Sequence, residues 1–207
     1  MAKTPPRELT RAKLLDQGVA FLTEYGYHGS GLQDILASVQ VPKGSFYYYF
    51  ASKEEFGAAV IGHYIEPFIL LLDGYLQRPE LSGAEALDGY FQELIAELER
   101  RQFKGGCLIG NLSGEIGDTS ELCRQALKTA LGRYRDKLAE GIARGQAQGR
   151  FRTDLPAAAM ADFLADAWQG ALLRMKIEQS VQPLRDCCRH LLQGYFRPAE
   201  DRPTTHP

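Results

Sequence analysis

Between Val41 and Phe50 the chain reads Val-Pro-Lys-Gly-Ser-Phe-Tyr-Tyr-Tyr-Phe, and Ala-Ser-Lys-Glu-Glu-Phe follows. Phe46 and Phe50 stand four apart, the spacing that sets both on one face of a helix and lets them anchor it to a core. Tyr47, Tyr48 and Tyr49 point about 100° apart around that helix, so no single face can bury all three. A cation, Lys43, and three phenol hydroxyls are left facing outward, where they suit phosphates and base edges. A short helix held on one side and reading nucleic acid on the other accounts for this pattern better than plain core does.

The segment from Gly26 to Gln40 supports that reading. Leu32, Ile35, Leu36 and Val39 form the apolar stripe of a two-turn helix, and Ser30 with Gln33 has the S-x-x-Q spacing of a capping box. Pro42 disfavours helical backbone at Val41 yet is comfortable in a first helical turn, so one helix stops near Val39 and the next starts beside Lys43. Helix, tight turn and helix make a helix-turn-helix unit. From Arg7 to Tyr25, Leu14, Leu15, Val19, Ala20 and Phe21 recur at helical spacing and predict a third helix, closed by Gly26, behind the pair. Arg7, Arg11 and Lys13 at its start meet either a phosphate backbone or solvent.

Gly26 to Phe56 resembles the DNA-binding domain of the TetR family of transcriptional repressors. The pattern G-(F/Y)-x-x-(T/S)-x-(V/L)-x-x-I is met by Gly26, Tyr27, Ser30, Leu32 and Ile35. The pattern V-x-K-G-(T/S)-(F/L)-Y-x-(H/Y)-F-x-S-K-E is met by Val41, Lys43, Gly44, Ser45, Phe46, Tyr47, Tyr49, Phe50, Ser52, Lys53 and Glu54. The resemblance implies DNA contacts at Ser30 and Gln33, at Lys43, Gly44, Ser45, Tyr47, Tyr48 and Tyr49, and at Lys53. Ser52 with Glu55 is a second capping-box spacing, which places Lys53 in a first helical turn where backbone amides also face an anion.

The remaining sequence is helical in pattern almost throughout. Its 207 residues, 44% hydrophobic and 24% charged, suffice for one small domain and one larger one. We expect a helix-turn-helix domain over 1–51, an effector-sensing and dimerisation domain over 52–197, and a frayed tail over 198–207. Residues 1–53 carry six Lys/Arg against four Asp/Glu, whereas the rest carries 18 against 22, so the DNA end is the basic end. No continuous apolar run reaches about 18 residues and no signal-peptide pattern opens the chain, so the expected location is the cytoplasm, with no membrane partner.

A long helix is expected from Ser52 toward Leu72, and Ser82 with Glu85 caps another through Leu98. A short helix follows from about Cys107, a long one from Asp118 capped by Glu121, one from Leu155-Pro156, and a last from Pro183 to Phe196. The fold expected is all-α and TetR-like, with about nine helices. The last two helices carry Ala158, Ala159, Phe163, Ala167, Trp168, Ala171 and Leu172, then Leu184, Leu191, Leu192, Tyr195 and Phe196. In the family such helices pair with their copies. A palindrome read by helix-turn-helix units needs two of them about 34 Å apart, so a homodimer on double-stranded DNA is expected.

A second informative stretch runs from Arg100 to Ile116. Gly105 and Gly106 release the chain from one helix into another and place Cys107 near a helix N-terminus. Arg100, Arg101 and Lys104 add positive charge, and both effects favour thiolate over thiol. Gly106-Cys107-Leu108, then Leu112-Ser113 and Glu115, with Lys176 downstream, resemble the NemR-like branch of the family, which responds to electrophiles and oxidants. The resemblance implies a sensing thiol at Cys107 partnered by Lys176. Gly110, Asn111 and Gly117 depart from that branch and leave open release by a noncovalent organic ligand, with Phe91, Phe103, Asn111, Glu115, Trp168 and Met175 as candidate lining.

Cys123, Cys187 and Cys188 offer no C-x-x-C, and four cysteines with four scattered histidines give no zinc spacing. No Gly-rich phosphate loop, no H-E-x-x-H and no identifiable Cys/His pairing supports an enzyme, so neither catalytic residues, metal nor cofactor is expected. The function read from the sequence is a repressor that leaves its operator when a small-molecule effector acts on the helical domain.

Overall fold

A computed structural model of the protein describes residues 6–199. Among the described residues every regular element is a helix: α1 Pro6–Gly29, α2 Leu32–Ser38, α3 Lys43–Tyr49, α4 Lys53–Leu76, α5 Gly83–Arg100, α6 Leu108–Ile116, α7 Glu121–Ala147, α8 Ala157–Glu178 and α9 Gln182–His190, the last continued by a π turn at Leu191–Tyr195. The chain forms two compact units, one made of the chain as far as Pro67 with Cys107–Leu131, the other of Phe68–Gly106 with the chain from Gly132 on. These units are drawn differently from a linear division at residue 51, because α6 and the start of α7 pack with the helix-turn-helix, α6 lying against α1. Of the expected tail over 198–207, residues from 200 on lie outside the described part.

In the first unit, Leu14, Leu22, Ile35, Leu36, Phe46, Phe50, Phe56, Val60 and Ile61 are buried together with Leu108, Leu112 and Ile116 of α6. Gly26 interrupts α1 at φ 73°, ψ 179°, a left-handed φ that a residue with a Cβ rarely takes. The expected Ser30–Gln33 capping box is not formed. Gly31 occupies the N-cap of α2, and the Ser30 hydroxyl donates instead to the Gly26 carbonyl at 2.6 Å. A hydroxyl so close to an interrupted helix finds a freed carbonyl behind it before it reaches an amide ahead. The α4 start follows expectation more closely. Ser52 accepts from the Glu55 amide at 3.0 Å, and the Glu55 carboxylate accepts from the Ala51 amide at 2.7 Å.

In the second unit the Ser82–Glu85 capping box is present as read. A Cβ on Gly83 would fall inside contact distance of the Gly141 carbonyl oxygen and the Gly145 amide, so α5 and α7 cross backbone to backbone, and the small residues four apart on α7 permit it. Arg144 caps this corner by donating to the carbonyls of Leu76, at 2.5 Å, Arg78 and Leu81. The long helix expected from Asp118 starts at Glu121 instead, with the Ser120 hydroxyl accepting from the Cys123 amide. The last helix loosens into the π turn at Leu191, where the Phe196 amide reaches the Leu191 carbonyl at 2.8 Å and Phe196 is fully buried, its ring 6.1 Å from that of Phe151.

Helix α4 contains no unbroken apolar run of about 18 residues, with Glu66 and Asp73 inside it, yet is long and apolar enough by length and mean hydropathy to cross a membrane. Part of its apolar surface serves as core, with Phe56, Val60, Ile61 and Ile65 buried in the first unit and Ile69 and Leu72 in the second, while Leu70 is exposed. On α8 and beyond, Trp168, Ala171, Leu172, Leu184, Leu191, Leu192 and Phe196 are buried within the chain itself, while Phe163, Leu173, Ile177 and Tyr195 are exposed. The residues left for an external partner are therefore fewer than the apolar pattern suggested, and differently placed.

Candidate nucleic-acid interface and effector thiol

Helices α2 and α3 are joined by a turn in which the Val41 amide donates to the Leu36 carbonyl at 3.0 Å and Gln40 takes a left-handed φ of 56°. Pro42 is the N-cap of α3, and its carbonyl accepts from the Ser45 amide at 2.9 Å. Phe46, Phe50 and Phe56 are buried as one ring cluster, with centroids 5.5, 5.6 and 5.0 Å apart. That cluster clamps one face of α3. Lys43, Gly44, Ser45, Tyr47 and Tyr48 are exposed on the rest of it and Tyr49 is half-buried. No atom lies within 4 Å of a Cβ built on Gly44, so a phosphate or base edge can approach its backbone closely.

Gln33 is exposed on α2, whereas Ser30 is buried with its hydroxyl donated to Gly26. Lys53 is also occupied within the fold. Its ammonium donates to the Tyr27 carbonyl at 2.8 Å and lies 4.6 Å over the Tyr27 ring. Burial pulls the Lys53 ammonium down from its ordinary range, and the Glu115 carboxylate partly offsets this. Arg7, which its sequence position left undecided, sets its guanidinium 4.5 Å over the exposed Tyr48 ring, so this cation stands beside the recognition helix.

Lys43→Ala and Tyr48→Ala should each weaken operator binding on the order of tenfold, and Lys43→Ala should flatten the log–log salt dependence by about one unit. Both side chains are exposed, so melting temperatures should stay within about 2 °C of wild type. Fluorescence polarisation across a salt series measures the first effect and thermal melts the second. Unchanged affinity in both variants would remove α3 from the interface.

The effector stretch is more strained than its two glycines suggested. After Arg101, Gln102 and Phe103 take φ of 54° and 63°, and Gly105 and Gly106 take 85° and 72°. Left-handed backbone at non-glycine residues costs about 1–3 kcal/mol each and is held only by its surroundings. Cys107 then forms the N-cap of α6 and is half-buried. The aliphatic stem of Lys176 lies against Gly106, the residue before Cys107, close enough that an added Cβ would sit 3.1 Å from Lys176 Cδ. Arg100 and Arg101, expected to lend charge to this loop, are both paired with Glu97, at 2.5 and 2.6 Å. Burial pushes the Cys187 thiol up to about 11 and raises those of Cys123 and Cys188 as well, so none of these three favours the thiolate.

The six residues expected to line a ligand pocket are divided between the two units. Phe91, Trp168 and Met175 are buried in the second unit, the first two with ring centroids 4.6 Å apart, and Phe103 lies half-buried in the strained loop. Asn111 and Glu115 sit on α6 in the other unit. Glu115 has a different employment: its two carboxylate oxygens accept the Tyr27 and His28 amides at 2.7 and 2.6 Å. The contact joins residues 88 apart, and its local mark in the sequence is the glycine that interrupts α1 at position 26.

Residues 14–60 match the family profile described as bacterial regulatory proteins, tetR family, and residues 83–191 match the tetracyclin repressor-like C-terminal domain. The chain belongs to the TetR family. Among its relatives are the transcriptional repressor DhaR of a Mycobacterium species, 38% identical over 184 residues and 89% of each chain, and the repressor NemR of Escherichia coli, 30% identical over 92% of this chain and 96% of that one. The crystal structure of reduced NemR superposes with a TM-score of 0.81, at 31% identity, over 88% of this chain and 94% of its own. A regulatory protein from Rhodobacter sphaeroides gives the same TM-score at 34% identity, over 89% of this chain and 97% of that one. As a TetR-family protein the chain is a helix-turn-helix transcriptional regulator, with α2 and α3 as its reading unit.

Proposed function

We propose that this TetR-family protein is a cytoplasmic homodimeric repressor that occupies a palindromic operator and leaves it when an electrophile or oxidant acts at Cys107. The observation that carries the effector half is Cys107 itself, a half-buried thiol at the N-cap of α6, at the end of a loop with four left-handed residues. The thiolate is the nucleophilic form of a cysteine, and partial exposure gives a small electrophile access to it. With an α,β-unsaturated carbonyl, the thiolate sulfur forms a C–S bond at the β-carbon. The alkene π pair becomes an enolate, which takes up a proton in place of the one the thiol released. The adduct adds volume at a strained loop and removes the thiolate charge from a helix start.

The DNA contacts in this reading are Gln33, Lys43, Gly44, Ser45, Tyr47, Tyr48 and Tyr49, with Arg7 beside them and with Ser30 and Lys53 holding the unit's turns. Phe163, Leu173, Ile177 and Tyr195, apolar and exposed, suit a contact between copies of the last two helices. The second reading is release by a noncovalent organic ligand. It is favoured by the buried hydroxyl pair of Tyr90 and Tyr134, 3.1 Å apart, in a core with Phe91 and Trp168. The deciding test is a polarisation titration of the protein on DNA from upstream of its own gene, before and after N-ethylmaleimide. Release by the electrophile is the expected result. Tight binding that survives full modification of Cys107 would transfer the assignment to the second reading.

A further inference from the structure

We propose that Glu115 is the positioning residue that holds the DNA-reading unit in its operator-competent geometry, by gripping the backbone where α1 turns toward α2. The break at Gly26 deprives Tyr27 and His28 of ordinary helical acceptors for their amides. Tyr27 is buried, so its amide needs a partner. The partner comes from 88 residues away: Glu115 Oε2 accepts the Tyr27 amide at 2.7 Å and Oε1 the His28 amide at 2.6 Å. Both bonds are short and charge-assisted.

Two further features show that this grip is built into the fold. A Cβ on Gly26 would stand 2.7 Å from Glu115 Oε2, so glycine is what lets the carboxylate come this close. On the Tyr27–His28 peptide, whose amide is held by Glu115 Oε1, Lys53 at the start of α4 donates to the Tyr27 carbonyl on the other side. The end of α1, the start of α4 and the end of α6 therefore meet at one peptide group. Lys53 follows the last residue of α3 by four positions, so the knot includes the start of the helix that comes directly after the recognition helix.

Glu115 and Cys107 lie eight residues apart along α6 and its N-cap, about 12 Å by helical rise. A displacement of α6 produced at Cys107 would pull on the two amides through this carboxylate. That coupling step rests on the function proposed above, whereas the grip and its effect on operator affinity do not. Glutamine cannot replace the carboxylate, since its amide offers one acceptor and turns a donor toward the second N–H.

The experiment is amide hydrogen exchange at Tyr27 and His28 in the full-length wild-type dimer, free and bound to operator DNA, together with operator titrations of Glu115→Gln without any electrophile. Operator binding is expected to slow exchange at both amides at least fivefold. Glu115→Gln is expected to speed exchange at these amides in the free protein and to weaken operator binding at least tenfold, with protection at Phe46 and Phe50 retained, which a general loss of structure would not leave intact. Exchange at Tyr27 and His28 that ignores operator binding, or a Glu115→Gln protein that binds DNA as wild type does, would overturn the proposal. The wild-type arm needs no variant to fold. If N-ethylmaleimide fails to release wild type while Glu115→Gln still binds weakly, the cysteine reading fails and the grip stands.

Discussion

With Cys107 replaced by serine, operator affinity should stay within about twofold of wild type, and an electrophile that releases the wild-type protein should release the variant not at all. Serine is nearly isosteric, keeps a small polar group at the N-cap of α6 and is a better N-cap than cysteine, so the resting geometry is preserved. What disappears is the nucleophile. A hundredfold loss of operator affinity corresponds to about 2.7 kcal/mol of preference for the released state, and in the variant that preference falls to zero because no adduct forms. The other thiols are poor substitutes, since burial raises the pKa of Cys123, Cys187 and Cys188. Polarisation titrations with intact-mass measurement of the adduct check both halves. Undiminished release of Cys107→Ser would exclude the thiol as the sensor.

Phe46→Ala should cost the helix-turn-helix about 3–5 kcal/mol, the range for removing a large aromatic from a core. Phe46 is fully buried and its ring meets those of both Phe50 and Phe56 at about 5.5 Å, so truncation leaves two rings facing a void. Such a loss is a large share of a domain's net stability. Operator binding should fall below detection at temperatures where the wild type still binds. Phe46→Leu, which refills most of the volume, should recover most of both. Chemical denaturation and operator titration of the pair test this. A melting temperature for Phe46→Ala equal to that of Tyr48→Ala would mean that α3 is not anchored through its phenylalanines.

Much of the reading unit was legible because its determinants are local. Pro42 both ends one helix and starts the next, and the spacing of Phe46 and Phe50 separates the buried face of α3 from the exposed Lys43, Tyr47 and Tyr48. The Ser82–Glu85 box and the N-cap position of Cys107 are likewise set by neighbours within four residues. The same local rules misled at Ser30, whose S-x-x-Q spacing was outcompeted by a carbonyl freed at Gly26, and at the α7 start, where Ser120 is the cap.

By itself the sequence determined the helical periodicity, the helix-turn-helix and its polar face, and the placement of a cysteine at a helix start, because backbone geometry and side-chain spacing within a turn or two decide these. Only the tertiary structure decided that Glu115 serves the α1 turn, that Gly83 meets Gly141 and Gly145, and which apolar residues of the last helices stay exposed. The two contacts are choices among many polar or small partners, each more than 50 residues away. A helical period shows which face a side chain shares, but not which distant helix will cover that face or supply the second hydrogen-bonding atom.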